Sequence, residues 1–96
     1  MITVIAIMKA QQGKESLLAE EAKKVARQVR ENEPGCLLYI PHTGIKDPAE
    51  LIFVEKYSDQ AAFDAHVGTA YLKAFTAQFR DLLEDKPVIK IMRELI

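Results

Sequence analysis

From Ile2 to Met8 the chain is apolar at both parities, with Ile2, Val4, Ala6 and Met8 on one and Ile5 and Ile7 on the other. A β-branched run of that kind predicts a strand that wants cover on both faces. Gln11, Gln12 and Gly13 break it. From Lys14 to about Asn32 the period changes to three and four: Leu18, Ala22, Val25, Ala26 and Val29 are apolar, and charged residues such as Glu20, Lys24 and Arg27 fill the gaps. This predicts an amphipathic helix. Pro34 biases Glu33 away from helical angles and Gly35 suits a turn, so the helix ends there.

Cys36 to Ile40 or His42 reads as a second strand and Leu51 to Tyr57 as a third, joined by a loop through Gly44 and Pro48 into a long hairpin. The third strand is again apolar at both parities, Leu51 and Phe53 against Ile52 and Val54. Ser58 and Asp59 offer N-cap chemistry for a helix through His66, and Thr69, after the break at Gly68, offers it for another reaching Leu83 or Glu84. Leu72, Phe75, Phe79, Leu82 and Leu83 form an apolar stripe on that last helix. Pro87 opens a final strand, Val88 to Ile96.

Strand, helix, strand, strand, split helix, strand is the order of the ferredoxin-like split βαβ class of α+β fold: a four-stranded antiparallel sheet with helices on one face. Helices on one face leave the other bare, yet three of the four strands are apolar on both. A bare apolar face of several hundred Å² is unusual on a monomer. The expectation is a homodimer packed through its sheet faces.

Composition narrows the class. In a chain of 96 residues, 49% hydrophobic and 28% charged, the expectation is one domain over residues 1–96 with apolar surface left for a partner or ligand. The net charge of −1, with its signs interspersed, gives no footprint for a phosphate backbone, so nucleic acid is not an expected partner. The strands are aliphatic, which also removes the RNA-recognition module that shares this order of elements. The apolar start reaches Lys9 too soon for a signal sequence or a membrane span. With Cys36 the sole cysteine, no intrachain disulfide or zinc-ligand spacing exists, which fits a reducing, cytoplasmic setting without membrane or metal partners.

At Glu33-Pro-Gly-Cys-Leu-Leu-Tyr, Phe53-Val-Glu-Lys-Tyr-Ser-Asp, Ala62-Phe-Asp-Ala-His and Tyr71-Leu-Lys-Ala-Phe the sequence resembles the antibiotic biosynthesis monooxygenase family. The resemblance implies a dimeric α+β barrel. It also implies one of several activities, because the family includes cofactor-free quinol and anthrone monooxygenases, an isomerase and haem-degrading relatives. The haem-degrading members use a pocket tryptophan; this chain has none and carries Tyr57 at the equivalent end of its third strand.

His66 matches the family's Asp-Ala-His position, and imidazole exchanges protons near neutral pH, with an ordinary pKa of about 6.5. It is either a proton acceptor or a structural histidine satisfied by backbone or by Glu55. Cofactor-free oxygenation needs little more: a deprotonated phenol or quinol itself reduces oxygen, so the protein supplies a dry pocket, a proton acceptor and donors for the anionic oxygen. Tyr71 and Tyr39 are the candidate donors. Glu55, at the parity of Phe53 and Tyr57, either orients His66 or pairs with Lys90, Arg93 or another subunit. Met8, Tyr39, Phe53, Tyr57, Phe63, Phe75 and Phe79 are the candidate walls of a cavity for a planar aromatic, unless they simply fill the core. His42 reads as a surface residue and Cys36 as a small buried one.

The expectation that follows is an enzyme without cofactor, a monooxygenase acting on a small aromatic or quinol-like substrate. The alternatives are isomerisation of a small carbonyl compound by the same histidine, and a dimeric ligand-binding barrel without chemistry.

Overall fold

The computed structural model describes residues Met1 to Ile96. Strand β1 (Ile2–Lys9) leads into helix α1 (Glu15–Asn32), then β2 (Cys36–Thr43), β3 (Glu50–Tyr57), α2 (Gln60–Val67), α3 (Ala70–Arg80) and β4 (Val88–Arg93). The strands form one antiparallel sheet in the order β2-β3-β1-β4. This is the ferredoxin-like α+β arrangement, in which β1 lies between β3 and β4, both distant from it in sequence, and the β2–β3 hairpin forms one edge.

Hydrophobic spacing decides which faces meet. The five apolar positions of α1, Leu18, Ala22, Val25, Ala26 and Val29, are its buried residues. They join Ala6, Tyr39, Leu51, Phe53, Phe75 and Phe79 in the main core. Along β3 burial alternates, with Leu51, Phe53, Glu55 and Tyr57 turned inward under the helices. The other parity pairs Ile5 with Val54, Ile7 with Ile52 and Ile40 with Val54, and these side chains are half-buried with no helix over them. The sheet thus has one covered face and one open apolar face. No helix is long and apolar enough to cross a membrane.

The caps form as their residues predict. The Asp59 carboxylate accepts from the Ala62 amide, and the Thr69 hydroxyl accepts from that of Leu72. Two ends differ from expectation. Helix α3 stops at Arg80 instead of Leu83 or Glu84, because the chain behind it is captured by β1: the Gln11 amide donates to the Leu82 carbonyl and the Glu84 amide to that of Lys9, each at 2.8 Å. Strand β4 stops at Arg93 rather than Ile96, because its ladder with β1 ends at the pair of Ile2 with Arg93. A register shift between Cys36 and Leu38 is the other unforeseen feature. That bulge adds one residue to β2, so Cys36 and Tyr39, even and odd in sequence, share the covered face.

Candidate active site

Between the sheet and α2, α3 and the segment before β4 lies a cavity of about 740 Å³. Part of its wall is aromatic: Phe53 packs edge-on to Phe75 with ring centres 5.9 Å apart, and Tyr39 tilts against Phe53 at 5.3 Å. Met8, Phe63 and Phe79 add to the apolar lining, which continues through aliphatic side chains such as Val4, Leu72 and Leu83. Arg80, Glu84, Asp85 and Lys86 also line it, and all four are exposed. Two ionisable side chains, Glu55 and His66, lie on the cavity wall although both are buried.

His66 is the one buried residue of α2, its side chain 4% exposed. Tyr39 and Tyr57 flank the imidazole with ring centres 5.3 and 5.2 Å away, and Phe63 stacks at 6.5 Å. The Nδ1 atom lies 3.0 Å from Glu33 Oε1. A carboxylate only accepts hydrogen bonds, so that contact places the proton on Nδ1. Tyr71 donates its hydroxyl to the same carboxylate. On the other side of the ring, Nε2 lies 3.9 Å from Glu55 Oε1. That is beyond hydrogen-bond reach and leaves Nε2 open to a ligand.

Glu55 is held by the Tyr57 hydroxyl, which donates to Oε1 at 2.6 Å. Burial pushes its carboxyl up to about 7; the Tyr57 hydrogen bond opposes the rise, and the charge of Glu33 adds to it. Near neutral pH, Glu55 exchanges protons. The hydroxyls of Tyr39, Tyr57 and Tyr71 are all driven upward, first by burial and then by neighbouring carboxylates, so they remain donors.

Of the residues expected at the site, Met8, Tyr39, Phe53, Glu55, Phe63, His66, Phe75 and Phe79 line the cavity. Tyr57 and Tyr71 are not among its lining residues. Tyr57 is wholly buried in a small cluster with Ile2 and Val4, and it stands behind the wall, against Glu55, Phe63 and His66. Tyr71 donates its hydroxyl to Glu33, a contact that the sequence did not foresee. Glu55 makes no ion pair with Lys90 or Arg93. Lys90 pairs in register with Ile5, at the parity of the open face, and Arg93 lies at the sheet end opposite Ile2. Cys36 is only half-buried, and burial pushes its thiol up to about 11.

Glu33 is the residue the sequence reading missed. Its signal was an acidic side chain at the C-terminal cap of a helix, where the macrodipole disfavours negative charge. No group of three His, Cys, Asp or Glu side chains is arranged to hold a metal ion.

The sequence pattern of one family, described as antibiotic biosynthesis monooxygenase, matches residues 1–78. Among solved structures, one described as an antibiotic biosynthesis monooxygenase covers 100% of both chains with a TM-score of 0.91 at 23% identity, a likeness of fold. A protein from Caulobacter crescentus is 29% identical, with 99% of this chain and 90% of that one covered and a TM-score of 0.93. Another, from Pseudomonas aeruginosa, is 27% identical over 99% of this chain and 94% of its own, with a TM-score of 0.89. Comparison with curated proteins finds no match.

Proposed function

The chain belongs to the antibiotic biosynthesis monooxygenase family, and from that premise we propose that it oxidises a small quinol or polyphenol with molecular oxygen and without a cofactor. The observation that carries this reading is His66 Nε2, unbonded and set in the wall of an apolar, aromatic cavity. A quinol hydroxyl entering the cavity gives its proton to Nε2. The resulting anion, stripped of water, passes electrons to oxygen. One oxygen atom enters the ring and the other leaves as water, so a quinol and O2 yield a hydroxyquinone and H2O. All four electrons come from the substrate, and no external reductant is needed. Tyr39, on the cavity wall with its hydroxyl kept protonated, is the donor we assign to the anionic oxygen.

Oxygen uptake by the purified protein on a panel of hydroquinones and anthrones, each read against its own autoxidation, tests the proposal. Uptake above background is expected, falling by about 10²-fold or more in His66→Ala, the usual scale of a lost general base. Equal uptake by the variant would remove His66 from the chemistry.

A second reading has its own support. Glu55, at about 7, and His66 stand on one wall as two groups able to hold a proton, which suits acid and base steps in isomerising a small carbonyl compound. Deuterium exchange next to a carbonyl, without oxygen uptake, would favour it. We also assign the open sheet face to a second copy of the chain, because Ile5, Ile7, Ile40, Ile52 and Val54 are apolar, contiguous in register and half-exposed.

A further inference from the structure

We propose that Glu33 is a positioning residue: it fixes the His66 tautomer in which Nδ1 carries the proton and Nε2 turns a lone pair to the cavity. The inference rests on the reading of His66 as a proton acceptor, and it concerns how that acceptor is made ready.

Three observations support it. The Glu33 carboxylate lies within 3.0 and 3.1 Å of Nδ1 through its two oxygens, and it also accepts the Tyr71 hydroxyl, so donors from α2 and α3 converge on it. No cation pairs with it to offset its charge at a helix C-terminus: Arg30, in the last turn of α1, donates to the Tyr39 carbonyl instead. The turn is also fitted to its place. A Cβ on Gly35 would stand 2.7 Å from Ala62 Cβ, so only glycine lets Glu33-Pro34-Gly35 sit against α2 one turn before His66.

The groups facing the imidazole are Glu33 from the end of α1, Glu55 and Tyr57 from β3, Tyr39 from β2 and Phe63 from α2 itself; none is a cation. When Nε2 takes a proton, the imidazolium lies between two carboxyl groups. Glu33 holds it from behind, in the manner of the aspartate of a catalytic triad.

Glu33→Gln separates this role from a structural one. Tyr71 needs an acceptor and takes the amide oxygen, so the amide NH2 faces Nδ1 and the ring proton moves to Nε2. Nitrogen-15 NMR above the histidine titration reads the tautomer directly, and a His42→Gln background leaves one imidazole to observe. In the parent, the proton is expected on Nδ1. In Glu33→Gln it is expected on Nε2, with kcat down by roughly 10²- to 10⁴-fold and KM nearly unchanged. Glu33→Gln/Tyr71→Phe frees the amide oxygen to turn to Nδ1, which restores the tautomer and part of kcat.

A parent protein with its proton on Nε2, or a Glu33→Gln variant that keeps it on Nδ1, overturns the proposal. Because the tautomer is read without substrate, the two readings fail separately. Tautomers that move as described in a protein that consumes no oxygen support the positioning role and sink the oxygenase.

Discussion

The Glu55 carboxyl is buried, bonded by Tyr57 and faced by the charge of Glu33, and its pKa of about 7 records that burial weighs most. The consequence for stability has a definite sign. A carboxyl raised in the folded state contributes its full stability below about 4.5, its ordinary value, and loses it as pH rises through about 7. A rise of that size corresponds to roughly 3 kcal/mol as an upper bound. Urea unfolding of Glu55→Gln is therefore expected to show a flatter stability between pH 4.5 and 8 than the parent. A variant whose stability declines in parallel with the parent would locate the pH dependence elsewhere. In the proposed chemistry the same exchange of protons would matter, since a neutral Glu55 offers a donor where a charged one offers only acceptors.

At the scale of elements, the faces of α2 and α3 supply His66 and the aromatic wall, but ends and irregularities bring Glu33 and Tyr39 to them. The Glu33-Pro34-Gly35 turn brings the end of α1 to α2, and it is tied to β3 by the Ser58 amide donating to the Gly35 carbonyl at 2.9 Å. Gly35→Ala is expected to cost about 1–3 kcal/mol by overpacking against Ala62, and to lower turnover by displacing Glu33. Thermal unfolding checks the first and oxygen uptake the second; an unchanged melting temperature would show that the turn yields at no cost. The bulge in β2 acts similarly, since without it Tyr39 would leave the covered face. Neither the bulge nor the early end of α3 has a local signal. Both come from backbone pairing between segments far apart in the chain.

For the whole molecule, the open sheet face sets the expectation. A charge at its centre, as in Val54→Lys, is expected to weaken self-association by about 10²-fold, on the scale of burying one large apolar side chain. It should leave the cavity intact, because Val54 and Phe53 have opposite parities. Light scattering at micromolar concentration reads the outcome, and a parent protein that is already monomeric would refute the assignment of that face. Val88 and Met92 continue the same apolar face onto β4, where they are exposed.

The sequence by itself determined the order and kind of the seven elements, the buried face of α1 and the caps at Asp59 and Thr69. Those depend on residues within a few positions of one another, where periodicity and capping chemistry act. Only the tertiary structure decided that Tyr71 donates to Glu33, that Tyr57 donates to Glu55 while Glu55 stops short of His66, and that Glu33 belongs to the site at all. These contacts join side chains up to 38 residues apart. A carboxylate in a sequence looks the same wherever it folds; its partner, and so its chemistry, depends on which donors the packed elements bring within about 3 Å.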